Sequence, residues 1–288
     1  MRRQLFLAAC AIAAAIGFAS CQYGFYQVLW HGPTVAEREG ELRDDIAAPA
    51  AASPYAFVVI SDVHFGKKEP ARLDDEFIAK LKEVQSSHSP TPSFCICLGD
   101  IADHGRRHEL EEYNTLCARI EAIVGGKIYN VVGNHDLYNS GWNDYKELVY
   151  PHTSFYRFRL GGYSYYFLDA GSGSLGTKQF EFLKEAMEAE SGRKKIVSLH
   201  YPVFGSSQFM NDYYALQNES ESTRVMDLFG KNNVRLILAG HVHTEEGTHI
   251  SKQMEEYILP SYLEDYQFAV VTVNEAEDSI SHTLYTYH

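Results

Sequence analysis

Positive charge, cysteine and long apolar runs are all scarce in this chain. Its 25 lysines and arginines are outnumbered by 38 aspartates and glutamates, for a formal net charge of −13 over 288 residues. That balance argues against broad affinity for DNA, RNA or anionic lipid, which depends on clustered Lys and Arg neutralising phosphates. Nucleic acid is therefore not an expected partner, and any phosphate-bearing ligand would need a strong local positive field. Cysteine is equally thin: beyond Cys21 only Cys95, Cys97 and Cys117 occur, an odd and sparse set that does not make a disulfide framework. Cys95 and Cys97 alternate along one strand and are expected to share a face as small buried apolar residues.

The apolar run at the N-terminus, Leu5 to Phe18, follows Arg2 and Arg3 and gives way to small residues up to Cys21. This is the order of an export signal, and the run is short for a membrane span. "FASC" resembles a bacterial lipobox, in which the cysteine becomes the lipid-bearing first residue, although Phe18 departs from the usual aliphatic. Residues 1–20 are thus expected to be a lipoprotein-type signal peptide. The exported protein is expected on the periplasmic or outer face of a membrane, anchored by lipid on Cys21. Residues 21–54 pass from an aromatic-rich stretch to "IAAPAAASP". Their composition fits a tether, or a segment in which Trp30 and its neighbours pack back onto the body.

With 45% apolar residues there is enough material for a large core. From Tyr55 strand and helix patterns alternate. "YAFVVIS" reads as a buried strand, "ARLDDEFIAKLKEV" as an amphipathic helix with Leu73, Phe77, Leu81 and Val84 on one stripe, and "SFCICLG" as the next strand. A helix over about 109–123, a strand at "KIYNVVG", two strands around Gly161-Gly162, a helix over about 177–190 and a strand at "KKIVSLH" follow. A helix over about 222–229 and the strand "VRLILAG" precede a strand-rich end, "YILP", "FAVVTV" and "SHTLYTYH". The order implies one α/β domain over 55–288, with sheets covered by helices and an antiparallel element late in the chain.

Five of these strands end in polar clusters: "VVIS-DVH", "ICLG-DIAD", "NVVG-NHD", "VSL-H" and "LILAG-HVH". Ligand sites in open α/β sheets form at the carboxyl ends of strands. A lone histidine there is more often structural, an asparagine after glycine is usually a turn residue, and an aspartate is often a helix cap. The set is more telling than its members. Asp62, His64, Asp100, Asn134, His135, His200, His241 and His243 offer the imidazoles and carboxylates that hold borderline divalent ions such as Zn, Mn, Fe or Co, whereas calcium would recruit oxygen ligands.

In this order, DxH at Asp62 and His64, GDxxD from Gly99 to Asp103, GNHD from Gly133 to Asp136, His200, and GHxH from Gly240 to His243 resemble the calcineurin-like metallophosphoesterases. The likeness covers the chain from about Tyr55 to its end. It implies a four-layer α/β/β/α sandwich with two central mixed β-sheets. It also implies two divalent ions: Asp62, His64 and His243 on the first, Asn134, His200 and His241 on the second, and Asp100 between them. A metal-bridging hydroxide would be the nucleophile. His135 would face the substrate, Asp103 would orient it, and Asp136 would support the site. Two ions bring the local positive charge that the acidic chain lacks, and a pair of metals can bind phosphoryl oxygens and acidify water. His135 could then stabilise phosphoryl charge or protonate the leaving alkoxide.

Asp103 stands where purple acid phosphatases carry the iron-binding tyrosine, so an iron-tyrosinate centre is not expected. The stretch after His243 is too short for the C-terminal substrate domain of periplasmic 5′-nucleotidases. What remains is a minimal hydrolase of small phosphoesters, similar to the cyclic-nucleotide phosphodiesterase branch, acting as phosphodiesterase or phosphatase. Trp142, Phe204, Tyr213 and Tyr214 are candidates for stacking on a base or sugar, packing being the plainer reading. Arg106 and Arg107 read as the start of a solvated helix. The remaining histidines, His104 among them, read as surface or structural residues. Two other function classes stay open: a noncatalytic lipid-anchored binding protein on an enzyme-derived fold, which the filled ligand positions disfavour, and a nuclease, which the acidic balance disfavours.

Overall fold

The computed structural model describes residue 38, residues 41–204 and residues 215–288. The expected signal peptide, Cys21, Trp30, Tyr213 and Tyr214 lie outside the described residues. The elements run β1 (Tyr55–Ile60), α1 (Asp74–Ser87), β2 (Pro92–Cys97), α2 (Arg107–Val124), β3 (Ile128–Asn130), a 3₁₀ segment (His135–Ser140), α3 (Trp142–Leu148), β4 (Tyr156–Leu160) and β5 (Tyr163–Phe167). Then come α4 (Thr177–Ala189), β6 (Lys194–Ser198), α5 (Glu219–Lys231), β7 (Val234–Ala239), β8 (Glu246–His249), β9 (Glu255–Ile258), β10 (Gln267–Asn274) and β11 (Ser279–Thr286).

The two-residue period of the strands builds the layers. On β1, Ala56, Val58 and Ile60 enter one apolar cluster while Tyr55, Phe57 and Val59 enter another. On β7, Leu236 and Leu238 share that second cluster while Ile237 and Ala239 face a third. Strands buried on both faces need a layer on each side. The first sheet has the order β11-β10-β1-β2-β3 and the second β4-β5-β6-β7-β9-β8. Each mixes parallel and antiparallel pairs. Helices α1, α2 and α3 cover the first sheet and α4 and α5 the second. The expected four-layer α/β/β/α sandwich is the observed one. An aromatic layer spaces the sheets, with Phe57 on Phe94 at 4.8 Å and Tyr156 on Phe167 at 4.4 Å between ring centres.

Local departures have local causes. Leu73 is the N-cap of α1, and Ile78 takes its place in the buried stripe with Phe77, Leu81 and Val84. The strand expected at "KIYNVVG" stops at Asn130; Val131 to Gly133 leave the sheet towards the site. The 3₁₀ segment, α3 and β8 have no counterpart among the expected elements, while β9 overlaps the strand expected at "YILP". At 7 residues, α3 is too short to show a helical period. Trp142 lies in it and packs in the core beside Tyr145, the plainer of the two readings. Cys95 and Cys97 are free and fully buried as expected, and burial pushes the Cys97 thiol up to about 12.

The described part of 21–54 lies against the domain. Arg38 forms a buried two-pronged pair with Asp169, both contacts 2.9 Å, and donates to Ser172 Oγ at 2.7 Å. Arg43 lies alongside β4 through backbone bonds with Phe155 and Arg157, and Asp44 pairs with Arg157 and Arg159. Among the described residues no helix is long and apolar enough to cross a membrane.

Candidate metal centre

The carboxyl ends of β1, β2, β3, β6 and β7 converge, and the expected residues meet there. Asp62 N–H donates to Gly99 O and His64 N–H to Asp100 O, lacing the first two loops together. Gly240 N–H donates to His200 O, joining the two loops of the second sheet. His241 N–H crosses between sheets to Asp62 Oδ2 at 3.1 Å. Close approach explains two motif glycines: a Cβ on Gly133 would strike Asp100, and one on Gly240 would strike Ser61 Oγ. Asp62, His64, Asp100, His241 and His243 all hold positive φ, between 48° and 70°. Such left-handed turns are costly off glycine and cluster at functional sites.

Three groups of ligand-type atoms lie within 4.8 Å of one another: Asp62, His64 and His243; His64, Asp100 and His135; Asp100, His200 and His241. Asp100 belongs to two of them. Its Oδ2 is 3.3 Å from His200 Nε2 and 3.9 Å from His64 Nε2. His243 Nε2 is 3.2 Å from Asp62 Oδ1 and 3.4 Å from His64 Nε2. His241 Nδ1 is 3.2 Å from His200 Nε2, which is 3.0 Å from Asn134 Oδ1.

These donors fit a cation. His200 Nδ1 sits 2.8 Å from the Leu98 carbonyl and must donate there, so a neutral His200 turns a lone pair towards Asn134 Oδ1, itself an acceptor. His243 repeats the pattern, with Nδ1 3.0 Å from Glu264 Oε2 and Nε2 facing Asp62. The buried Asp62 Oδ1 has no hydrogen bond. Acceptors facing acceptors need a positive charge between them, a proton or a metal ion. Without metal, a proton can take that place. Burial opposes charge on His200, yet Asp100 pushes it up to about 9. Burial likewise opposes charge on His243, but Asp62 and Glu264 push it up to about 10. His241 falls to about 3 through burial and the neighbouring His200. Burial disfavours the charged form of Asp62 and Asp100, yet the surrounding imidazoles hold both below the usual carboxylate range.

His135 stands apart. Its side chain is 30% exposed where those of His64 and His200 are 2% and 0%. Its N–H donates to Asp100 Oδ1 and its Nδ1 to the Asp103 carbonyl, both at 2.8 Å. The hydrogen bond from His135 to Asp103 runs to the backbone carbonyl, and the carboxylate expected to orient the ring lies further off. That carboxylate turns instead to His64 Nδ1 at 3.4 Å and His104 Nδ1 at 3.1 Å, with His135 Nδ1 at 3.8 Å. Asp136 is a buried brace: Oδ1 accepts from Ala102 N–H at 2.9 Å and Oδ2 from Gly133 N–H at 2.8 Å. Burial and the Asp100 charge push it up to about 7.

Several supports carried no motif signal. Tyr138 Oη accepts from Asn134 Nδ2 at 3.2 Å, which turns Asn134 Oδ1 inwards. The Ser61 hydroxyl donates to Asp62 Oδ2, Tyr201 lies 3.9 Å from the His241 ring, and Glu264 backs His243. His104, read as structural or surface, touches Asp103 at the rim. Arg107 begins a solvated helix as expected, paired with Glu111, Asp144 and Glu147. Phe204 is exposed.

A family model for the calcineurin-like phosphoesterases matches residues 55–245. The chain belongs to that family. It is accordingly a metal-dependent type of hydrolase acting on phosphoester bonds. Two curated relatives carry the name "Probable cyclic nucleotide phosphodiesterase". The one from Fibrobacter succinogenes is 25% identical over 208 residues, 70% of this chain and 77% of the relative. The one from Rhodococcus erythropolis is 24% identical over 202 residues, 66% of this chain and 65% of the relative. A dimetal phosphatase from Danio rerio superposes with a TM-score of 0.65 at 16% identity, over 82% of this chain and 100% of the other, which shows a shared fold. A purple acid phosphatase from yellow lupin does so at 0.60 and 13% identity, over 82% of this chain and 54% of the other.

Proposed function

We propose that this calcineurin-like phosphoesterase hydrolyses a small phosphodiester, of the cyclic-nucleotide class, at a binuclear centre. The observation that carries it is the convergence of seven donors from five strand ends, with Asp100 shared between two groups and His135 held beside them. Asp62, His64 and His243 would hold one divalent ion, Asn134, His200 and His241 the other, and Asp100 would bridge, with Mn, Fe, Zn or Co as the ion. When bound, the ions supply positive charge for phosphoryl oxygens and acidify water to a nucleophile.

The chain's own groups do the rest. Asp62 and Asp100 offset part of the positive charge, so that the site attracts a phosphate without trapping it. The Leu98 and Asp103 carbonyls fix the Nδ1–H tautomers of His200 and His135. His135 Nε2 thereby faces the centre, able to hold a proton near a phosphoryl oxygen or pass it to the departing alkoxide. The diester reading rests on the names of the two curated relatives.

Metal analysis of the purified protein, combined with a panel of phosphomonoester, phosphodiester and cyclic-nucleotide substrates in Mn or Co, tests the proposal. Cyclic-nucleotide turnover supports it. Turnover of monoesters alone would make the protein a phosphatase, and no turnover by metal-loaded protein would favour a binding role. Export as a lipoprotein is a separate proposal, resting on residues 1–21. Cys21→Ala should release the protein from the membrane fraction.

A further inference from the structure

The turn after β9 is built onto the backbone that carries Asp62. Tyr262 N–H donates to Ser61 O at 2.8 Å. Ser261 Oγ donates to Asp62 O at 3.0 Å and accepts from Glu264 N–H at 3.1 Å. Asp265 Oδ2 closes the turn on Ser261 N–H at 2.8 Å. The Glu264 side chain is presented from this frame, with Oε2 3.0 Å from His243 Nδ1. Its other oxygen pairs with Lys67, whose N–H donates to His64 O at 3.1 Å. One acidic residue outside every recognisable motif thus joins the loops of Asp62, His64 and His243.

We infer that Glu264 is a positioning residue for cation binding: through its bond to Nδ1 it fixes the tautomer and ring orientation of His243 and adds negative charge behind it. This rests on the proposed ligand role of His243. Imidazole ligands commonly donate their second ring N–H to a carboxylate, which raises their basicity, and loss of such a partner costs about 10–100-fold in metal affinity. His200 uses a carbonyl for this purpose, and His64 Nδ1, at 3.4 Å from Asp103, closes no hydrogen bond. The bond from Glu264 to His243 is a well-formed carboxylate support for one of the proposed imidazole ligands. Glu264 is about one-third exposed, and water can replace part of its bond, which places the expected loss near the tenfold end.

The test is a Mn²⁺ titration of the full chain, followed by electron paramagnetic resonance, with thermal melts in chelator alongside. Glu264→Ala should weaken one class of bound Mn²⁺ about tenfold, leave the other within twofold and leave the chelated melt within a few degrees. Glu264→Asp should recover part of the loss. Unchanged Mn²⁺ affinity in Glu264→Ala, while His243→Ala loses an ion, would overturn the role of Glu264 and keep the centre. Equal weakening of both classes with a lower chelated melt would make the turn merely structural and overturn it as well. Absence of Mn²⁺ binding by the unmodified chain would remove the centre itself.

Discussion

The two sheets bring unlike chemistry to one place. The first contributes both carboxylates of the proposed ligand set, Asp62 and Asp100, with His64 and Asn134. The second contributes imidazoles alone, His200, His241 and His243. Neither sheet holds a complete set: each of the groups of close donor atoms that includes Asp62 or His200 takes members from both. The site therefore exists only where the sheets are packed in register. The aromatic layer that spaces them, Phe57, Phe94, Tyr156 and Phe167 among its members, acts on chemistry it never touches. Negative charge from one sheet and neutral nitrogen from the other also explain how a buried cluster of donors is tolerated, since each side satisfies the other once a cation lies between them.

Removing the residue on which both sheets close should have the largest effect. Asp100→Asn keeps the shape but takes away the charge shared by His200 and His64. A loss of several kcal/mol of charge stabilisation corresponds to about three orders of magnitude in turnover, with weaker metal binding in both halves. Retention of both ions at full affinity would show that the sheets are not coupled through Asp100. Next comes His135→Ala, which removes the first-sheet imidazole on the exposed side of the centre. It should keep its metal content and lose about two orders of magnitude in turnover for a poor leaving group. Near-normal turnover on such a substrate would sink the assignment.

Both sheets' contributions were readable in the sequence, and the reason is partly physical. Each strand has to end, and a left-handed turn at its end suits only a few residue types, so DxH, GDxxD and GHxH stand out against apolar runs. The layers were equally plain, because residues such as Ala56 and Phe57 on β1 alternate between two apolar clusters. What stayed hidden was whatever depends on the folded chain returning to itself. Glu264 sits in an ordinary loop and reaches His243 only because the turn after β9 bonds to the residues that follow β1. Tyr138 reads as one more aromatic, and α3 is too short for a period. The bond from His135 to the Asp103 carbonyl is of the same kind, since a backbone acceptor carries no residue-type signal.

Tyr138→Phe should have a moderate effect, confined to the half that holds Asn134. Without the hydroxyl, Asn134 Nδ2 loses its acceptor and the amide can turn its Oδ1 away from His200. A loss of about tenfold in metal affinity at one of two sites is expected, read by Mn²⁺ titration, with little change in the melting temperature. If both sites weaken together, the halves are not separable in the way the two sheets suggest.

The smallest effect is a slope with pH in the metal-free protein. Against the opposing effect of burial, Asp100 raises His200 from 6.5 to about 9, and Asp62 with Glu264 raises His243 to about 10. A group whose folded pKa is raised contributes stability that is fully present below the unfolded value and is lost as pH rises through the folded one. In chelator, the melting temperature should therefore decline from about pH 6.5 to pH 10 on account of these two groups, while His241, lowered to about 3, stays neutral throughout. At the proposed centre two divalent ions would take the place of the two protons, so saturating Mn²⁺ should flatten the decline, and metal affinity should rise over the same range. A melting temperature that rises with pH in chelator would mean that the second sheet's imidazoles are neutral without metal. The cation between the sheets would then have no proton as its stand-in.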